Sequence, residues 1–306
     1  NHKAWINAGF DNILFTPNGL VHRLMTRIAM ENLFHPFQPF ILGQKNLPPK
    51  IAQQYDISLI FYGEDEAEYG NPKVDFSSAK RSWDYFMSSN ENEIYLAGCS
   101  LKELKLLGLK PVDLKLYLPI NPQILEDKKI DVYYLGYYEK WHPQSAYYYA
   151  VDNGGFKAAP ERNCGTYSTY VSLDDKMDDF HWHTTFIKFG IGRATYDAAQ
   201  ETRSGDITRE EGVALVNLYD GEYPDRWSKE IFEYLSVNGR GFENIEKHFE
   251  CPIFDSEYYE LLCDKNRSPH IWRYDNEKGW TLRKKISNIS SEFNQEKSAF
   301  TWTGNK

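Results

Sequence analysis

Apolar positions along this chain alternate between two spacings. Asn12-Ile-Leu-Phe-Thr-Pro17 is a short apolar run stopped by Pro17, and after Asn18-Gly19 the residues Leu20, Val21, Leu24, Ile28 and Leu33 recur at helical spacing. The pattern predicts strand, tight turn and helix. Pro36, Pro39, Pro48 and Pro49 interrupt the next stretch, so one or two helical turns are expected between Lys50 and Tyr55 before Ser58 to Tyr62 returns to strand. Asn71 to about Asn92 is polar and serine-rich and reads as a surface excursion, and Lys129 to Tyr138 reads as a further strand. A β-α-β order predicts a parallel sheet. Ligands of such sheets sit beyond the carboxyl ends of the strands, which would place Thr16-Pro-Asn-Gly19 and Gly63-Glu-Asp-Glu-Ala-Glu68 on one rim.

The character changes beyond Trp141. Gly154-Gly155, Pro160, Gly165 and many Tyr and Ser residues predict a loop-rich stretch, after which helical spacing dominates. A boundary near residue 142 follows, giving regions 1–142 and 143–306. Phe186 to Thr202 is expected to be one helix that tolerates Gly190 and Gly192. Thr208-Arg-Glu-Glu211 fits a capping box, in which the Thr208 hydroxyl and the Glu211 carboxylate satisfy free amides at a helix start. Trp227, Ile231, Tyr234 and Leu235 sketch a further helix after Pro224.

Composition narrows the function classes. The 306 residues are 41% hydrophobic, enough for one large core or two ordinary ones. No apolar run approaches the ~18 residues of a membrane helix, and no charged segment followed by an apolar one opens the chain, so a cytoplasmic protein is expected. With 35 Lys plus Arg against 44 Asp plus Glu, a net charge of −9 disfavours a broad nucleic-acid footprint. Cys99, Cys164, Cys251 and Cys263 form no C-x-x-C pair and read as free thiols. The aromatic share, 16% with 22 Tyr, suits sugar faces as well as ordinary cores.

Seven segments stand out in order: Asn12-Ile-Leu-Phe-Thr-Pro-Asn-Gly19, His35-Pro-Phe-Gln-Pro-Phe40, Gly43-Gln-Lys-Asn46, Phe61-Tyr-Gly-Glu64 with Glu68-Tyr-Gly70, Ile187-Lys-Phe-Gly-Ile-Gly-Arg-Ala194, Ile207-Thr-Arg-Glu-Glu-Gly-Val-Ala-Leu215 and Arg267-Ser-Pro-His-Ile-Trp272. Together they resemble the N-acetyl sugar amidotransferases of the PP-loop ATP pyrophosphatase superfamily. The resemblance implies an α/β fold: a PP-loop parallel sheet lacking its first strand, then a mainly helical C-terminal region. It implies conversion of an acetamido group on an activated sugar or nonulosonic acid to acetamidino, with ATP and Mg²⁺. Ammonia would come from a separate glutaminase through a cyclase-like partner, and the product would serve lipopolysaccharide O-antigen or pseudaminic acid chemistry.

Two departures accompany that resemblance. The superfamily's Ser-Gly-Gly-x-Asp-Ser nucleotide loop has no match, so the chain is expected to begin inside a domain and, as it stands, to be unable to hydrolyse ATP. Where sulfur-inserting relatives carry C-x-x-C, this chain reads Phe37-Gln-Pro-Phe40, which favours amidation over thiolation. A tRNA-thiolating enzyme and a non-enzymatic carbohydrate-binding or scaffold protein stand as the alternatives.

The resemblance also sorts candidate residues. Glu64 and Glu68, with Asp65 and Glu66 behind them, would handle Mg²⁺ or protons, against a plain solvated loop. Thr16, Asn18 and Gly19, with Gly63, would approach the nucleotide, although Asn18 equally explains a helix cap. Gln44 and Lys45 would meet a phosphate. His181 and His183, two apart and so expected on one strand face, would serve the sugar or proton transfer, against an aromatic core segment. Lys188 and Arg193 would anchor an anionic substrate; the competing reading of Arg193 is a helix-surface ion pair with Asp197. Arg267 and His270 stay unassigned.

Overall fold

The Asn18 side chain caps the first long helix by accepting from the amides of Leu20 (3.0 Å) and Val21 (3.4 Å). The structure is a computed structural model that describes residues 2–63, 78–82 and 94–285. Helix α1 spans His2–Asn7 and α2 spans Gly19–Leu33. Between them no strand forms, contrary to the expectation for residues 12–16, and Ile13, Leu14 and Phe15 are exposed. An apolar tetrapeptide becomes a strand only where a neighbouring ladder takes its amides and carbonyls. No strand among the described residues pairs with it.

Helix α3, Gln38–Tyr55, runs straight through the prolines that were expected to break it. Pro39 falls in the first turn, where its missing N–H is one of the unpaired donors anyway. Pro48 and Pro49 lie inside the helix and deprive the carbonyls four residues earlier, those of Gln44 and Lys45, of their donors. The Tyr62 hydroxyl reaches those same two carbonyls, at 3.2 and 3.1 Å. A tertiary hydrogen bond thus replaces what the prolines remove, and it joins the end of strand β1 (Leu59–Tyr62) to the middle of α3.

Strands β2 (Tyr95–Leu96) and β3 (Cys99–Ser100) form a small antiparallel pair, followed by the short helices α4 (Leu101–Leu106), α5 (Pro111–Leu114) and α6 (Pro122–Asp127). Strand β4 (Asp131–Tyr134) then pairs with β1 in parallel, in the register Leu59↔Asp131 to Tyr62↔Tyr134. The parallel pairing expected from the sequence is present, as a sheet of two named strands. Residues 79–81 add to the other edge of β4, with Arg81 N–H donating to the Val132 carbonyl and Tyr134 N–H to that of Ala79.

The stretch after Trp141 opens with helix α7, Pro143–Gly154, and only then runs as the expected loop, over 155–177. His142 Nδ1 accepts from Ser145 N–H (3.0 Å), Pro143 opens the first turn, and Gly155 closes the helix at φ 63°. Helices α8 (Asp178–Phe189), α9 (Arg193–Ser204), α10 (Arg209–Tyr219), α11 (Ser228–Leu235) and α12 (Ser256–Asn266) follow, then the hairpin β5 (Trp272–Asp275) and β6 (Gly279–Leu282). The Thr208–Glu211 capping box starts α10 as expected. The single helix expected over 186–202 is two helices meeting at a corner. Gly190 ends α8 in the left-handed conformation, φ 72°, and Gly192 precedes α9.

Helix α2 belongs to two cores. Val21, Leu24 and Ile28 pack with Leu104, Leu109 and Tyr117, whereas Met30 and Phe34 pack with Phe180, Leu235, Tyr259 and Trp272. Arg27, fully buried on the same helix, donates to the carbonyls of Leu235 (2.8 Å) and Cys251 and is ringed by Phe249, Phe254 and Tyr258. Arg23, one turn earlier, reaches the carbonyls of Tyr234 and Ser236 at 2.5 and 2.6 Å. The two arginines fasten the C-terminal end of α11 to α2, because charged donors suit unpaired helix-end carbonyls.

Candidate functional site

A cavity of about 700 Å³ opens between α3, α8 and the first turn of α9, with Trp141 at its mouth. Helix α8 turns His181, Trp182, Thr185, Lys188 and Phe189 toward it, at intervals of one, four, seven and eight residues. Those intervals trace one face of a helix. The same periodicity separates the two histidines. Expected side by side on a strand, they are two residues apart on a helix, which rotates them by about 200°. His183 therefore faces the core, 8% exposed, with Nδ1 2.6 Å from the Tyr259 hydroxyl. It does not reach the cavity.

His181 stands in a ladder of rings. It stacks on His35 at 4.8 Å and on Phe37 at 5.3 Å, and Phe37 in turn meets Phe40 at 4.7 Å. Burial, reinforced by nearby positive charge from Arg193 and Lys188, pushes His181 down to about 3; burial, with His181 and Lys188 beside it, does the same to His35. Both imidazoles are neutral at physiological pH. The Nδ1 of His181 is buried and has no hydrogen-bond partner among the described residues.

Three cations line the same cavity. Lys45 is 6% exposed and lies 5.4 Å from the centre of the Tyr62 ring. Lys188 donates to the Leu33 carbonyl at the end of α2 (2.8 Å), and burial lowers its pKa. Arg193 makes the ion pair with Asp197 that its spacing allowed, 3.0 Å from Nε to Oδ1, while its guanidinium lies 4.7 Å from the Trp182 ring centre and borders the cavity. Asp174 and Asp178 are the acids on the wall; burial raises the Asp178 pKa, opposed by Arg193. Positive groups outnumber negative ones, so the cavity favours an anion.

The corner itself is held by contacts distant in sequence. Asp220 accepts from the amides of Gly192 (2.9 Å) and Thr195 (3.1 Å) and from the Thr195 hydroxyl (2.5 Å). A carboxylate therefore already occupies the amino end of α9, and the anion preference of the cavity comes from side chains. A Cβ at Gly190 would stand 2.9 Å from Ile271, and one at Gly192 2.9 Å from Asp220.

Of the residues predicted from sequence, Gln44, Lys45, His181, Lys188 and Arg193 meet at this cavity. Thr16, Asn18 and Gly19 are exposed at the start of α2, where the Asn18 carbonyl is used by its own helix, and none of the three lines the cavity. Gly63 is exposed at the end of β1. Glu64 and Glu68, with Asp65 and Glu66, lie outside the described residues. His35, Phe37, Trp141, Trp182 and Tyr196 also line the cavity and were not singled out. Reading 178–189 at helical period would have shown Trp182, Thr185 and Phe189 beside His181 and Lys188.

Residues 164–287 match a family model described as LPS biosynthesis protein WbpG-like, C-terminal domain. That span of the chain is similar to the WbpG C-terminal domain. The matched span carries the α8 and α9 walls of the cavity, with His181, Lys188 and Arg193, whereas α3 and Trp141 lie before it. It relates the chain to lipopolysaccharide biosynthesis. No curated protein matches the chain. No helix among the described residues is long and apolar enough to cross a membrane, and no group of three or more His, Cys, Asp or Glu among them is placed to hold a metal ion.

Proposed function

We propose that this protein is an ATP-dependent amidotransferase that converts the acetamido group of an activated sugar or nonulosonic acid to acetamidino. The observation that carries the reading is the cavity wall inside the WbpG-like span, where Lys188 and Arg193 flank a neutral His181 and face Lys45. An amide carbonyl is a poor electrophile, and ATP supplies the activation: the amide oxygen takes the adenylyl group and pyrophosphate leaves. Ammonia then forms the new C–N bond, the C–O bond breaks with loss of AMP, and the nitrogen sheds a proton.

This chain's residues have distinct tasks in that sequence. Arg193 and Lys188 hold the diphosphate or carboxylate of the substrate, the guanidinium by a two-point contact. Lys45 and Gln44 fit a phosphate on the opposite wall. His181 is held neutral, and its buried Nδ1 has no partner among the described residues, which suits it to a hydrogen bond with the sugar; a pKa lowered to about 3 makes it a poor proton acceptor. The Phe37 and Phe40 rings line the wall where the resemblance would put the cysteines of thiolating relatives, which supports amidation over sulfur transfer, and no thiol among the described residues lines the cavity. Dependence on ATP places the reaction in the cytoplasm, with a glutaminase and a cyclase-like subunit as ammonia suppliers.

The test is to incubate the full-length protein with ATP, ammonium and acetamido sugars. Pyrophosphate release that requires both sugar and ammonium, with a product in which NH replaces the amide oxygen and adds a positive charge, is the expected result. Arg193→Ala should lower kcat/KM about 100-fold, mainly through KM for the sugar, as loss of a charge-assisted contact predicts. Pyrophosphate release indifferent to the sugar would overturn the reading.

A further inference from the structure

Arg193, Asp197, Gln200 and Glu201 follow one another at intervals of four, seven and eight residues and share a face of α9. That face borders two smaller cavities continuing from the main one past Trp141. The first, about 50 Å³, shares Trp141, Val171 and Arg193 with the main cavity and adds Tyr170, Asp197 and Gln200. The second, about 160 Å³, shares Trp141 and Gln200 with the first and reaches Arg203. Trp141 borders all three.

Most polar groups on this face are already satisfied. Asp197 accepts from Arg193 (3.0 Å) and the Thr166 hydroxyl (2.5 Å), and Glu201 from the Tyr167 hydroxyl (2.9 Å). Gln200 differs. It is 8% exposed, and its Nε2 has no hydrogen-bond partner among the described residues. Buried amides without partners are uncommon, because desolvation is then uncompensated. An amide kept in that state on the wall of a cavity is a donor without its acceptor.

The surroundings define that acceptor's chemistry. Beside Gln200 the carboxylates of Asp197 and Glu201 are engaged with Arg193 and Tyr167, and the larger branch adds Lys140 and Arg203, so charges of both signs border the branch and neither an anion nor a cation is singled out. A neutral oxygen suits the amide, and the indole of Trp141 offers an apolar face beside it. We propose that this branch is a saccharide subsite, in which Gln200 donates to a ring hydroxyl or acetamido oxygen of a sugar lying against Trp141, while Arg193 holds the sugar's anionic substituent in the main cavity. The proposal rests on the anion-binding reading of Arg193 above and adds to it the position of the neutral part of the substrate. Gln200 and Trp141 are then specificity residues: they distinguish a sugar-bearing anion from the bare anion.

Calorimetric titration with UDP and with UDP-N-acetylglucosamine tests this. Wild-type protein should bind the sugar-bearing probe about 10-fold more tightly than UDP. Gln200→Leu should remove most of that increment, leave UDP binding unchanged, and leave Tm unchanged or raised, because no internal hydrogen bond is lost. Trp141→Ala should remove the increment in the same way. If UDP binds but the sugar adds nothing, or if Gln200→Leu keeps the increment, the subsite is overturned while the anion cradle stands. A lower Tm in Gln200→Leu would reveal a structural partner for the amide and also overturn the subsite. Failure of UDP itself to bind wild type would bring down the anion cradle and the subsite with it.

Discussion

The start of α2 and the α8–α9 corner are both places where polar side chains gather at a helix end, yet they do opposite things with their hydrogen bonds. At α2 the Asn18 carbonyl is consumed by two amides of its own helix, Thr16 and Gly19 are exposed, and a Cβ at Gly19 would meet nothing within 4 Å. At the corner the backbone is satisfied from afar by Asp220, and the side chains around it keep surplus capacity: an imidazole nitrogen on His181 and an amide on Gln200, each without a partner among the described residues. A polar group that its neighbours satisfy is structure. One that burial isolates without a partner points to something that arrives from outside.

Substitution at the two glycines is the strongest way to break this contrast. Gly190→Ala puts a Cβ 2.9 Å from Ile271 in a left-handed conformation, φ 72°, and should cost about 2 to 4 kcal/mol in urea denaturation. Gly19→Ala, in open space and without a positive φ, should stay within about 0.5 kcal/mol. Equal losses at the two positions would show that the corner is no more constrained than the rim.

Acid sharpens the contrast next. Burial holds His35 and His181 down at about 3 and His183 at about 4. Their ordinary value is near 6.5, so between 6.5 and 4 the unfolded chain binds protons that the native state refuses, and stability falls as pH falls. Asp179, raised to about 6 by burial and then by Asp178, has the opposite sign and offsets part of the loss. Three histidines less one carboxyl leave about two protons, so the net decline should approach roughly 2 to 3 kcal/mol per pH unit near pH 5, measured as urea midpoints. His183→Phe should flatten the slope, and an unchanged slope would contradict a neutral His183. The smallest effect belongs to the rim: Asn18→Ala should cost about 1 kcal/mol of stability through the lost cap and leave UDP binding unaltered.

The parts legible in the sequence were those decided locally. Strands at 59–62 and 131–134, the helix after Asn18, the capping box at Thr208 and the helix over Trp227 to Leu235 follow from spacing and caps within a few residues. What escaped depended on distant partners. Nothing near Pro48 and Pro49 announces that Tyr62 will supply the lost donor, and nothing near Gly190 announces Ile271 or Asp220. The histidine pair, two residues apart, shares a strand face at period two; once the helical period is applied, His181 and His183 separate into cavity and core. Gln200 carried no local signal, since a lone glutamine on a helix reads as solvent-facing until its burial is known.

The most direct test of the account is hydrogen exchange of the amides with and without UDP-N-acetylglucosamine. Ligand binding at the α8–α9 corner predicts slowed exchange in residues 181–203 and in 37–46, with no change at 12–19. Protection confined to 12–19, leaving the corner untouched, would contradict it.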